Sequence, residues 1–155
     1  MPNLLLQSCS ASKREVSGPT PAFDLYSGYF YKILNKSKRE GEFRSDIDIN
    51  ILSAKYGLLD PSDEIEWYDQ QMDRARADEL NPSVVDAIET RVTDAEYDRI
   101  VVNMGSTYRR AISGLNQRVD ATVAEIQGGG IGEKGNALYR FIRGDDSVLK
   151  EINDV

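Results

Sequence analysis

The stretch Asn50–Tyr68, NILSAKYGLLDPSDEIEWY, decides the fold class. An apolar run that begins at Ile47 leads into it and predicts a buried strand. The strand is followed by Ser53–Gly57, where a serine, a lysine, a tyrosine and a turn-forming glycine come together, and by a second turn at Asp60–Asp63. A strand that enters a long polar loop is how α/β proteins build sites. The same pattern fits a connector whose aromatic side chains fill the core, and both interpretations stay open.

This stretch resembles the signature of the peroxide-stress YaaA family and its shorter relatives. The positions that carry the same residue types are Ser53, Tyr56, Gly57, Leu58, Leu59, Pro61, Asp63, Ile65, Tyr68 and Met72. The signature has basic residues in place of Asp60 and Asp69 and an acidic residue in place of Gln71, so this loop lacks two positive charges. The resemblance implies an α/β fold, and the family is associated with DNA binding and with limiting free iron under peroxide stress.

Composition limits the classes of function. The 155 residues predict one globular domain, residues 1–155, and the start of the chain has no signal-peptide pattern. No apolar run suits a membrane helix, and the single cysteine excludes an internal disulfide, so we expect a cytoplasmic protein without a membrane partner. The net charge of −7 disfavours a large nucleic acid footprint but is compatible with a local basic patch. Without histidine we expect no structural zinc, and we predict no metal or cofactor.

A second polar strand end lies close to the N-terminus. The apolar run Leu4–Ser8 predicts a strand that leads into the hydroxyl-rich loop Ser8–Lys13. Small residues let a ligand approach the backbone closely, and hydroxyl and N–H groups can receive a phosphate or a carboxylate. The alternative is a plain serine-rich turn with Cys9 as a small buried hydrophobe. Cys9, Ser10 and Lys13 also resemble the Cys-Ser-x-x-Lys motif in the lysine-transferring domain of archaeosine synthase, but prolines that commonly flank that motif are missing.

Two further strands are predicted to end in polar or glycine-rich segments. Ile100–Met104 contains Asn103 at its end and leads to Ser106 and Arg109, where a helix start could receive an anion or could simply be capped. Ala121–Gln127 leads to a run of glycines that matches neither a dinucleotide nor a phosphate-loop motif. The helices are expected from about Ala22, at Asn81–Pro82, around Leu138–Ile142 and, as a short helix with a tail, after Asp145.

The alternation of strands and helices predicts an α/β fold. We expect a single three-layer domain with a mainly parallel sheet of about four strands and helices on both faces. In such sheets the carboxyl ends of the strands meet at one edge, where ligands bind. The four polar strand ends are therefore expected to face one crevice.

The resemblances imply a protein that binds or modifies a nucleobase, a nucleoside or a modified nucleic acid, and the predicted crevice fits that function. The candidate catalytic residues are Lys55, Asp63 and Cys9. The candidate substrate-binding residues are Ser10, Lys13, Tyr26, Ser53, Tyr56, Gly57, Asn103, Ser106 and Arg109. The expected partner is a small-molecule or nucleobase ligand. The alternatives are a non-enzymatic DNA-binding stress protein, which the acidic charge disfavours, and an interaction module.

Overall fold

The computed structural model describes residues 2–155 and shows a mixed α/β fold. The strands are β1 Asn3–Ser8, β2 Thr20–Pro21, β3 Ile47–Ser53, β4 Gly57–Leu59, β5 Glu64–Ile65, β6 Arg99–Asn103, β7 Thr122–Ile126 and β8 Leu149–Glu151. The α-helices are α1 Ala22–Leu25, α2 Tyr29–Arg39, α3 Arg74–Ala95, α4 Ser106–Arg109 and α5 Ile131–Ile142. Short 3₁₀ turns cover Arg110–Ile112, Leu115–Gln117 and Asp146–Val148.

Six strands form the central sheet in the order β4-β3-β1-β6-β7-β8. The inner four are parallel, and Leu5 of β1 pairs with Ile49 on one side and Val101 on the other. The predicted mainly parallel sheet is confirmed. The prediction of about four strands is an undercount, because β4 and β8 add antiparallel edges of three residues each. Such short edges carry little periodic signal in the sequence.

The sheet has a buried core cluster on each side, and β1 contributes to both. Leu5 belongs to a cluster with residues of α1, α2 and α5. Leu4 and Leu6 belong to a second cluster with residues of α3. Successive side chains of a strand point to opposite faces, so the continuous apolar run of β1 is what a strand buried on both faces requires.

The strand order creates a switch point at β1. From β1 the chain crosses to β3 on one side, and it then returns to β6 and β7 on the other. The chain therefore continues from β1 toward one edge of the sheet and from β6 toward the other edge. A crevice opens at such a point, beyond the carboxyl ends of the strands. Cys9, which follows β1, stays anchored to the sheet because its N–H donates to the Leu52 carbonyl at 2.9 Å.

The helix prediction at Asn81–Pro82 is wrong. A single helix, α3, begins earlier, where the Asp73 side chain caps it by accepting from the Arg76 N–H at 2.8 Å. Pro82 lies inside this helix. The Asn81 amide does not cap a helix start but donates to the carbonyls of Ala111 and Ser113, at 3.1 and 3.0 Å. The Asn81 side chain thus makes tertiary hydrogen bonds, although its sequence context is typical of a helix cap.

Two other local predictions need correction. The helix expected from Ala22 is divided, because Tyr26 is extended and α2 starts only after Gly28. The short helix expected after Asp145 is a 3₁₀ turn followed by β8, which pairs with β7. In both places the backbone pairs with a distant segment and therefore does not form a helix. Tyr26 forms a β-bridge with Lys13, and β8 pairs with β7.

Candidate functional site

A cleft of about 300 Å³ opens at the switch point, and we call it the Cys9 cleft. It lies between the loop that follows β1, the extended segment before α3 and one tyrosine that follows β6. Its lining residues are Cys9, Ser10, Ala11, Lys13, Asp69, Gln70, Gln71, Met72 and Tyr108. Three of the predicted site residues, Cys9, Ser10 and Lys13, therefore line one cleft.

Cys9 contacts a hydroxyl group inside this cleft. Its Sγ lies 3.1 Å from the Tyr108 hydroxyl oxygen, and either group can be the donor. The Cys9 side chain is half-buried, so a ligand in the cleft can reach the sulfur. Burial raises the pKa of the Tyr108 hydroxyl above its usual range, and the neighbouring Cys9 adds to the effect. Tyr108 therefore keeps its proton at neutral pH and can donate it in a hydrogen bond to sulfur.

Ser10 holds the loop rather than projecting freely into the cleft. Its hydroxyl donates to the Ser12 carbonyl at 2.6 Å and accepts from the Gly28 N–H at 3.2 Å. The backbone of Gly28 comes so close that a Cβ there would lie 2.6 Å from the Ser10 Cβ. A glycine at position 28 therefore permits the contact that fixes the loop around Cys9.

Lys13 supplies positive charge at the edge of the cleft. Its ammonium group lies 4.5 Å from the centre of the Tyr68 ring, which is a cation–π contact. The Tyr68 ring also packs edge-on against Tyr56, with 5.5 Å between the ring centres. Tyr68 is buried, so it fixes the position of Lys13 from below without itself facing solvent.

A buried hydroxyl network lies behind the cleft. The Tyr68 hydroxyl is 2.6 Å from the Tyr26 hydroxyl and 2.9 Å from Ser53 Oγ. Ser53 Oγ also accepts from the N–H groups of Lys55 and Tyr56 at the end of β3. Burial raises the pKa of Tyr26 to about 12, and it raises the pKa of Tyr68 further. Tyr26 and Ser53 are almost fully inaccessible, so they support the fold of the predicted site and do not line the cleft.

The other predicted residues of the Asn50–Tyr68 stretch lie outside the cleft lining. Lys55 is exposed, with its ammonium group 5.3 Å from the Tyr56 ring centre. The Tyr56 hydroxyl bonds to the backbone of Glu66. Gly57 has φ +76°, a conformation that favours glycine and forms the turn into β4. The Asp63 carboxylate accepts from the Asp60 N–H at 2.8 Å and so stabilises the second turn.

The predicted residues that follow β6 separate from one another. Asn103 is buried and donates to the Gln7 side chain at 2.9 Å, which links β1 and β6. Ser106 and Arg109 line a different cavity of about 350 Å³, together with Asp78 and Arg110. Arg109 also forms an ion pair with Glu125 of β7. Sequence proximity to the strand end therefore did not bring these side chains into the Cys9 cleft.

One N–H group of the glycine-rich segment is already bonded within the chain. The helix α5 begins at Ile131, so part of the expected glycine turn is helical. The Glu133 carboxylate accepts from the Gly129 N–H at 2.8 Å. A carboxylate of the chain itself therefore occupies this anion position.

Most of the opposite wall of the cleft lies outside the predicted site residues. Tyr108 lies in the polar segment that follows the strand Ile100–Met104 but is not among the candidate residues, and Gln70 and Gln71 begin a polar stretch, Gln70 to Leu80, whose composition favours a helix. Asp69, Gln70 and Gln71 are exposed, and in the part of the chain that the structure describes neither glutamine side chain has a hydrogen-bond partner. The signal that could have identified this wall is its position, because Met72 closes the signature described above.

Among residues 2–155, no group of three or more His, Cys, Asp or Glu side chains is arranged to hold a metal ion. The same described residues contain no helix with the length and apolar character needed to cross a membrane. The Cys9 cleft contains sulfur, hydroxyl, ammonium and amide groups.

The fold and the cleft define an α/β protein with a candidate ligand site at the switch point of a mainly parallel sheet. The chain belongs to the family of unknown function DUF6884, whose model matches residues 4–140. The crystal structure of AF0587, a protein of unknown function, is similar with a TM-score of 0.55 and 14% sequence identity. The match covers 92% of this chain and 45% of that chain, so this chain spans less than half of its length. A comparison with curated proteins finds no match.

Proposed function

We propose that the Cys9 cleft binds a nucleobase or a nucleoside, either free or as part of a modified nucleic acid. The observation that carries the proposal is the set of groups in one switch-point cleft: a sulfur, a phenol, an ammonium group and two side-chain amides. Ligands of open α/β sheets bind in this position. The surrounding architecture that we propose is three-layered, with the two core clusters between the sheet and its helices.

The size of the cleft supports a small ligand. Its volume of about 300 Å³ is at the lower end of the range for ligand pockets, about 300–1,000 Å³. A single base with part of its sugar suits this space better than a dinucleotide. The cleft is also lined by Met72 and by the Tyr108 ring, and both offer apolar surface to the face of a base.

The polar groups of the cleft suit the edge of a base. Side-chain amides present a donor and an acceptor together, which is the pattern that glutamine uses when it reads adenine. Gln70 and Gln71 have no partners of their own in the described residues, so binding a base would not require them to give up hydrogen bonds within the chain. Lys13 provides a positive charge for a phosphate or a carboxylate on the ligand.

Cys9 is the group of this cleft with the greatest capacity for chemistry. It is half-buried, and the Tyr108 hydroxyl lies at hydrogen-bond distance from its sulfur. The thiolate is the nucleophilic form of cysteine, and the Tyr108 hydroxyl is placed to donate a hydrogen bond to the sulfur. We therefore propose Cys9 as the reactive residue if the ligand is modified. Lys55 and Asp63 have positions that suit surface and turn roles better than catalysis.

The proposal is tested by a thermal-shift screen against nucleobases, nucleosides and nucleotides. A ligand present at one hundred times its Kd stabilises the folded state by about 2.7 kcal/mol, provided that it does not bind the unfolded chain. For a chain of this size that free energy raises Tm by roughly 5–10 °C, at about 2–4 °C per kcal/mol.

Two variants and one control locate the binding site. The double variant Gln70→Ala/Gln71→Ala is expected to abolish the shift, and Lys13→Ala is expected to reduce the shift that a nucleotide causes more than the shift that its nucleoside causes. Gln117→Ala removes an exposed amide away from the cleft lining and is expected to retain the shift. The proposal is contradicted if no member of the panel raises Tm, or if the cleft variants respond as the control does.

A further inference from the structure

A basic groove of about 490 Å³ lies next to the Cys9 cleft. The exposed cations Arg14, Lys32, Lys36 and Arg39 line it, and Asp24 is its single carboxylate. This positive groove is unusual on a chain with a net charge of −7. Charge complementarity therefore favours an anionic partner at this surface.

The cations of the basic groove differ from most arginines of the chain because they have no carboxylate partners. Within the described residues, none of the four takes part in an ion pair. Most arginines elsewhere do form such pairs, and these are Arg44, Arg76, Arg91, Arg99, Arg109, Arg110, Arg118, Arg140 and Arg143. The groove thus gathers charge that the protein itself does not neutralise.

The spacing of these cations fits a row of phosphates. Lys32, Lys36 and Arg39 lie on α2 at intervals of four and three residues, so they share one face of the helix. With a rise of 1.5 Å per residue, the seven residues from Lys32 to Arg39 span about 10 Å. Three cations along this length can contact a short run of phosphates on one nucleic acid strand.

The basic groove and the Cys9 cleft lie on the two sides of one short segment. Lys13 lines the cleft and Arg14 lines the groove. The backbone of Lys13 bridges Tyr26 in the manner of a strand, and the Arg14 N–H donates to the Leu25 carbonyl at 2.8 Å. Successive side chains of an extended segment point in opposite directions, while their Cα atoms are only about 3.8 Å apart. A nucleic acid strand that binds in the groove could therefore place one of its bases in the cleft.

We propose that the basic groove binds the phosphodiester backbone of a single-stranded nucleic acid, one base of which enters the Cys9 cleft. The part of this proposal that concerns the base rests on the proposed function. A single strand, or a flipped-out nucleotide, is required because the cleft can accept a base only when it is unstacked. The partner is recognised mainly by charge, since the groove offers cations in a row and only one carboxylate.

The test is the binding of a fluorescently labelled 12-nucleotide single-stranded RNA, followed by anisotropy between 50 and 200 mM salt. Four phosphate contacts predict a slope of log K against log salt of about −2.8, and hence a roughly 50-fold loss of affinity over this range. The variant Lys32→Ala/Lys36→Ala leaves two contacts, with a slope of about −1.4 and a loss of roughly sevenfold.

Lys150→Glu is the matched control, because it changes the net charge by −2, as the double variant does, on the edge strand β8. It is expected to bind the RNA with the slope of the unmodified protein. The groove is refuted as the binding surface if the double variant and the control give the same slope, or if the RNA does not bind at 50 mM salt. Poly-glutamate that binds as tightly as the RNA would also overturn the proposal, since it would indicate an acidic protein partner.

The nucleoside thermal shift separates this proposal from the proposed function. The double variant Lys32→Ala/Lys36→Ala keeps the Cys9 cleft, so it is expected to retain a nucleoside shift while losing RNA affinity. RNA binding that depends on the groove, without any nucleoside shift, would support the groove and contradict the base in the cleft. A nucleoside shift without groove-dependent RNA binding would contradict the groove alone.

Discussion

The buried hydroxyl of Tyr68 is expected to stabilise the structure behind the Cys9 cleft. Tyr68→Phe removes one atom and with it the contacts to the Tyr26 hydroxyl at 2.6 Å and to Ser53 Oγ at 2.9 Å. A buried polar group that loses its partner costs about 1–3 kcal/mol, and Tyr26 is almost completely buried. We expect the free energy of unfolding to fall by about 2–3 kcal/mol.

The companion substitution Tyr26→Phe should have a smaller effect. It removes the hydroxyl at the end of the network and leaves Tyr68 bonded to Ser53, so we expect a loss of about 1 kcal/mol. The double variant should be little worse than Tyr68→Phe alone, because the same hydrogen bond is absent in both single variants. The resulting coupling energy is about 1 kcal/mol.

Urea unfolding followed by far-UV circular dichroism measures these free energies. The expected change for Tyr68→Phe corresponds to a decrease in Tm of roughly 4–12 °C, at about 2–4 °C per kcal/mol. Tyr139→Phe is the control, because its ring is exposed and none of the described hydrogen bonds uses its hydroxyl. A loss of less than about 0.5 kcal/mol in Tyr68→Phe, or two single effects that simply add in the double variant, would contradict this prediction.

Two further predictions concern titration and backbone geometry. Burial raises the pKa of Tyr26 from 10.0 to about 12. The contribution of this group to stability should therefore be complete below pH 10 and should be lost as the pH rises towards 12. Urea midpoints measured from about pH 9 upwards should show this loss, and the decline should be weaker in Tyr26→Phe. Gly132→Ala should stabilise α5 by about 0.5 kcal/mol, because the added Cβ would meet open space. Gly128→Ala should destabilise the protein by more than about 1 kcal/mol, because the added Cβ would lie 2.5 Å from the Lys134 backbone nitrogen. Equal urea midpoints for the two variants would contradict this prediction.

The strands of the fold were predictable because each is a compact apolar run. Leu4–Ser8, Ile47–Leu52, Ile100–Met104 and Ala121–Gln127 coincide closely with the four parallel strands. The short edge β8 was not predictable in the same way, because only its pairing with β7 makes that segment a strand. Asn81 and Pro82 form a local pattern that is typical of a helix start, but tertiary contacts of the Asn81 side chain override it.

The candidate site was predictable on one side only. The Cys9 loop has a recognisable strand-to-loop composition and directly follows β1, so its place at the carboxyl edge follows from the fold class. The contact between Cys9 and Tyr108 joins residues that are far apart in sequence, and it depends on β6 being the neighbour of β1. Tyr26 and Ser53 have the polarity of site residues, but their hydroxyls meet Tyr68 inside the protein. Sequence patterns do not reveal such pairings.

The central claim is that a ligand occupies the Cys9 cleft, and the most direct test is the alkylation rate of Cys9. The chain has a single cysteine, so iodoacetamide labelling followed by mass spectrometry reports on this position alone. We predict that a nucleoside that raises Tm will slow the labelling of Cys9 in proportion to the occupied fraction, and that Gln70→Ala/Gln71→Ala will remove this protection. A ligand that raises Tm but leaves the labelling rate unchanged would contradict the claim, because it would bind elsewhere.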